Sequence, residues 1–83
     1  MARKKQLIEM KGLYRSDLEF LIRELVVGAY AYRNRKILKD IVIDGYEIRP
    51  IAEKYDISET RTKTIVRNFC NNVHDYLEKH PLQ

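Results

Sequence analysis

Cysteine is almost missing from this sequence. Cys70 is the one thiol in 83 residues, so no intrachain disulfide can hold the fold, and a reducing compartment, the cytoplasm, is expected. No apolar run approaches the ~18 residues of a membrane span, and the opening MARKKQ lacks the apolar stretch of a signal peptide. A membrane partner is therefore not expected. Three glycines and two prolines argue against a turn-dense β architecture and against a low-complexity disordered chain. There is no glycine-rich phosphate loop. Cys70 and His74 stand i, i+4, a spacing at which two side chains can share a metal, but two ligands do not close a site. Nor do they supply the nucleophile, base and oxyanion donor of a hydrolase. Neither a metal, a cofactor nor an enzymatic activity is expected.

What is present is a balance of 45% hydrophobic and 34% charged residues with a net charge of +4. This suits one compact helical domain near the lower size limit for folding without staples, and it is compatible with a polyanionic partner. The expected fold is all-α, a small domain of four to five helices with a central helix-turn-helix. The expected division is a basic arm over residues 1–15 and a helix-turn-helix domain over 16–80, with its motif at 47–69.

In the arm, Arg3, Lys4 and Lys5 are candidate phosphate contacts. Ser16-Asp17-Leu18-Glu19 fits a capping box, so a helix is expected to start there. Leu18, Leu21, Ile22, Leu25 and Val26 then make one apolar stripe, and Gly28 is placed to end it. A second helix is expected from about Ala29, with Tyr30, Ile37, Leu38, Ile41 and Val42 inward. Its outer face carries Arg33, Arg35 and Lys36, further candidate phosphate contacts, together with Lys39. Ile41-Val42-Ile43 is locally strand-like but has no partner strand, and Asp44-Gly45 is the stop signal.

Tyr46 to Phe69 is the stretch with the clearest pattern. Glu47 to Tyr55 is read as a short helix burying Ile48, Ile51, Ala52 and Tyr55, with Pro50 in its first turn, where an amide hydrogen is not needed. Ala52 is small, as required where two helices cross closely. Asp56-Ile57-Ser58 forms the corner: Asp56 tolerates a left-handed backbone, Ile57 plugs the core and Ser58 caps the next helix. That helix can run to about Glu78, with Ile65, Val66, Phe69, Val73 and Leu77 inward. Ser58, Glu59, Thr60, Arg61, Lys63, Thr64 and Arg67 are the candidate DNA-binding residues. Arginine and lysine suit guanine O6 and N7, threonine suits phosphate or a thymine methyl, and glutamate suits cytosine N4. The six tyrosines are assigned to packing rather than to base stacking, because they do not alternate with basic residues along one expected surface.

With Leu25-Val26-Val27-Gly28, Ile41-Val42-Ile43-Asp44-Gly45 and the Ala52 to Val66 motif in view, the span from Leu18 to Val73 resembles the TrfB/KorA family of plasmid transcriptional repressors. It is more distantly similar to PapB-type regulators, and its motif is similar to the helix-turn-helix in region 4 of bacterial sigma factors. The resemblance implies a homodimeric repressor that occupies promoter operators on double-stranded DNA. Thr62 departs from the motif, standing where an apolar core residue is usual, which implies a looser seating of the recognition helix. The dimer surface is expected on Val73, Tyr76 and Leu77, with help from the segment around Leu7 to Tyr14. The alternative function is a protein-interaction module that binds RNA polymerase or another regulator in the manner of sigma region 4.

Overall fold

The computed structural model describes residues 13–80, and among these the only regular elements are helices. Arg3, Lys4, Lys5 and most of the expected N-terminal arm lie outside the described residues. The first helix, α1, spans Arg15–Leu25 with Tyr14 as N-cap, so it begins before the box expected at Ser16. The acceptor is Asp17, whose carboxylate takes the Tyr14 backbone N–H at 3.1 Å; Glu19 instead pairs with Arg15 at 3.3 Å. The reason lies one residue upstream. Leu13 and Leu18 are both buried in the same cluster, the N′ and N4 spacing of a hydrophobic staple, and burying both sets where the chain enters the helix.

At its other end α1 stops at Leu25, short of Gly28, because Val26 is already extended (φ −96°, ψ 104°). Gly28, at φ 105°, turns the chain inside the connection rather than capping α1, and its carbonyl accepts the Ala31 N–H at 3.1 Å. The second helix, α2, accordingly spans Ala31–Leu38, with Tyr30 as its N-cap. This moves Tyr30 off the inward stripe: the ring is 59% exposed, contrary to the periodic expectation.

Without a break, α2 passes into a π-helical turn over Lys39–Ile43, in which the Asp44 N–H bonds to the Lys39 carbonyl at 2.9 Å. This i→i+5 ring takes an extra residue into the turn. Ile41, Val42 and Ile43 all bury, so the strand-like triplet is helical and wholly inside. Asp44 closes the turn electrostatically, accepting from Lys39 Nζ at 3.1 Å and from Arg15 at 3.3 Å. The Lys39 ammonium, joined by Arg15, holds the Asp44 carboxyl below its ordinary value against the opposing effect of burial. A lowered native value means that the contribution of Asp44 to stability is full above the ordinary carboxylate range, around pH 4, and fades as pH falls through the lowered value. Acid titrations followed by circular dichroism should show Asp44→Asn less stable than the parent at neutral pH, with the gap closing below about pH 4.

The third helix, α3, spans Ile48–Tyr55 and the fourth, α4, spans Glu59–Lys79. They are joined at the corner the sequence marks. The core is a single cluster in which Leu18 and Leu21 of α1, Ile37 and Leu38 of α2, Ile51 of α3 and Ile65, Phe69 and Val73 of α4 meet. Helix α4 packs against α1, α2 and α3, and is thus the strut on which the others lie. Val73 is completely buried within it. It is therefore not available as a dimer surface; Tyr76 and Leu77, half-buried, remain.

Candidate nucleic-acid interface

The corner between α3 and α4 is built from backbone geometry first. Asp56 adopts φ 58°, ψ 47°, the left-handed conformation expected of it. The Ile57 N–H bonds to the Ala52 carbonyl at 3.0 Å and the Asp56 N–H to the Glu53 carbonyl at 3.2 Å. This is the paired pattern of a Schellman motif, which satisfies carbonyls that the end of a helix leaves open. Ala52 is 2% exposed, the small residue at the crossing, while Ile57 is half-buried and packs on the core.

Ser58 then caps α4: its Oγ accepts the Arg61 N–H at 2.9 Å. Ser58→Ala should cost about 0.5–2 kcal/mol in denaturant unfolding, with a larger share of the loss at the start of α4 than elsewhere by amide hydrogen exchange. One turn on, Thr62 is fully buried and its hydroxyl donates to the Ser58 carbonyl at 2.9 Å. No buried side-chain polar atom among the described residues lacks a partner. Thr62 is thus accommodated in the core with its hydroxyl satisfied within its own turn.

With Thr62, Ile65, Val66, Phe69 and Val73 turned into the core, the opposite face of α4 is fixed. It presents Thr60, Lys63 and Arg67 exposed and Thr64 half-buried, flanked by Glu59 and Arg61, both exposed. Six of the seven residues singled out in the sequence are therefore on or beside one face of one helix, and the seventh, Ser58, stands ahead of it as the N-cap. Asn71 extends that face by a further turn and is also exposed. Sequence reasoning missed it by stopping at Arg67; its signal was the same periodicity, and a carboxamide is suited to adenine N6 and N7.

The electrostatics of this face are one-sided. Between Glu59 and Asp75 the sequence of α4 contains no acidic residue, and Glu59 is itself engaged by Arg49 of α3 at 3.1 Å. Among the described residues, the ion pairs resolved involve neither Arg61, Lys63 nor Arg67. Their charges add to the positive end of the α4 dipole.

The α3 side of the motif is anchored at its C-terminal end. Asp40, in the π-turn, accepts from Lys54 Nζ at 3.2 Å and from the Tyr55 hydroxyl at 3.1 Å. Asp40 raises the Lys54 ammonium above its ordinary value, while burial and then Asp40 raise the Tyr55 phenol. The pair ties the corner to the rest of the fold.

Set against protein-family models, curated proteins and solved structures, the chain finds no significant match.

Among the described residues, the candidate phosphate contacts Arg33, Arg35 and Lys36 sit on α2 rather than on α4, each beside a neighbour of its own. Arg33 donates to the Asn34 side chain at 3.1 Å and lies 4.8 Å over the Tyr30 ring. Arg35 donates to the carbonyls of Val26 at 3.0 Å and Arg23 at 3.3 Å, so it caps the end of α1. Lys36 stands 4.3 Å over Tyr32, which is 74% exposed. Lys36 lowers the Tyr32 phenol, and Tyr32 raises the Lys36 ammonium. Tyr30 and Tyr32 thus fall outside the core, each ring covered by a cation of α2.

Cys70 is half-buried against the core. No group of three His, Cys, Asp or Glu able to hold a metal occurs among the described residues, and no helix among them is long and apolar enough to cross a membrane.

Proposed function

We propose that this protein is a sequence-specific double-stranded DNA-binding transcriptional regulator, a repressor that acts at promoter operators through α4. The observation that carries the reading is the acid-free, cationic face of α4 from Thr60 to Arg67, aimed by a capped turn against a short preceding helix. A major groove admits a helix of this kind, with its first turns reading base edges. In this reading Lys63 and Arg67 address guanines, Thr60 and Thr64 address phosphate or thymine methyls, and Ser58 and Arg61 address the backbone. Glu59 orients Arg49 as well as facing the groove. A single helix reads only a few base pairs, so the protein acts as a homodimer whose two α4 helices lie about one turn of DNA apart. Its contact surface is Tyr76 and Leu77 with Tyr14, which is 77% exposed.

Selection of bound duplexes from a random pool tests this. The expected product is a palindrome with half-sites about 10 base pairs apart, centre to centre, bound with a steep inverse dependence on salt. Absence of any enriched sequence, with co-purification of RNA polymerase instead, would favour the interaction-module reading. A monomer in sedimentation, with and without the selected DNA, would remove the homodimer.

A further inference from the structure

On another part of the surface, α1 and α2 leave an open groove of about 390 Å³ to which neither α3 nor α4 contributes a lining residue. Its exposed lining is mostly apolar: the exposed Tyr32 supplies the accessible ring, set over the buried Ile22 and Ile43. The rim is cationic: Arg23 stands on the α1 side and Lys36 and Lys39 on the α2 side. The one acid of the lining, Glu19, is paired with Arg15 at 3.3 Å. Among the described residues neither Arg23 nor Lys36 has an ion-pair partner, so at least two rim charges are available to an anion.

We infer that this groove is a docking site for an acidic amphipathic helix of a partner protein. Three observations select that occupant. The α2 wall from Tyr32 to Ile43 runs roughly 16 Å at a helical rise, the length of about three turns, and both walls are lined at helical spacing, as in helix-in-groove recognition. The groove has no roof, whereas a small ligand needs most of its surface enclosed to bind well. Its apolar strip at Tyr32 between cationic rims matches a helix with one apolar and one acidic face; a duplex phosphate backbone has nothing to lay on the Tyr32 ring. The chain's own residues 1–12 carry Arg3, Lys4, Lys5 and Lys11 against one Glu9, the wrong sign for this rim. The site stands whether or not α4 reads DNA, and it leaves the α4 face free.

The test is selection of helical peptides from a displayed library against the full chain. The enriched sequences should be net acidic with apolar residues at i, i+3, i+4 and i+7. They should shift backbone amides of α1 and α2 but not those of the first turns of α4. The double variant Arg23→Glu, Lys36→Glu, altering two exposed side chains and checked for native helicity, should bind them about tenfold or more weakly, and Tyr32→Ala should weaken them too. The inference fails if no peptide is enriched, if winners are neutral or basic, or if the double variant binds them as well as the parent. It fails equally if a selected DNA duplex displaces them from the groove, for the surface would then be a nucleic-acid contact.

Discussion

Alanine at both Lys63 and Arg67 should reduce affinity for the selected operator about thirtyfold or more, since each bidentate contact to a guanine contributes about 1–3 kcal/mol. Both side chains are exposed, so circular dichroism and thermal unfolding should be almost unchanged, and the loss is one of recognition. The two single variants separate the roles. A base reader loses its preference at one position of the site, whereas a phosphate contact lowers binding equally on all sequences and flattens the salt dependence. Binding that survives the double substitution intact would mean that α4 is not the recognition helix. Asn71→Ala, one turn further on, should affect at most the outer edge of each half-site.

The largest effect on stability is expected at Leu38→Ala. Leu38 is 1% exposed, and it faces a small groove it shares with Leu25, Ile65 and Phe69. It therefore joins the end of α1, the end of α2 and the middle of α4. Removing its branched end costs about 2–5 kcal/mol in transfer and cavity terms, a large fraction of what a domain of this size has in reserve. The melting temperature should fall by about 10 °C or more, and operator binding should fall with it as the folded fraction declines. Leu38→Met, which keeps the volume, should stay within about 1.5 kcal/mol of the parent. Equal losses from both would point to shape rather than to volume at this junction.

The helix-turn-helix was legible because its signals are local. Asp56 and Ser58 act within three or four residues of themselves, and the spacing of Ile48, Ile51 and Ala52 settles which face of α3 is buried. The α4 stripe from Ile65 to Leu77 was readable for the same reason, over roughly three and a half turns. What escaped depended on contacts between distant residues or on competition between overlapping patterns. At the start of α1 the box read at Ser16 and Glu19 gives way to the Tyr14–Asp17 pairing, favoured by the joint burial of Leu13 and Leu18. Tyr30 has the right period for the core, yet the extended Val26 and the turn at Gly28 delay α2 until the ring lies outside. Arg35 looked like its neighbours on a charged face, and nothing in its flanking sequence reveals that it reaches back to carbonyls of α1 and Val26. Asn71 was visible but undervalued, because an uncharged amide raises no electrostatic flag.

The π-turn at Lys39–Ile43 has a consequence for how this domain can change over generations. Because its i→i+5 bonding accommodates one residue more than an α-helical turn, the direction in which the chain leaves for α3 depends on a headcount. Losing any one residue between Leu38 and Asp44 would let the turn relax to ordinary helix and would rotate everything after it. Asp40 would leave Lys54 and Tyr55, and Asp44 would leave Arg15. Substitutions here trade one packing energy for another, but a deletion re-aims α4 as a whole. The domain should therefore tolerate exchange of one apolar residue for another at Ile41, Val42 and Ile43 better than any change in the length of this segment.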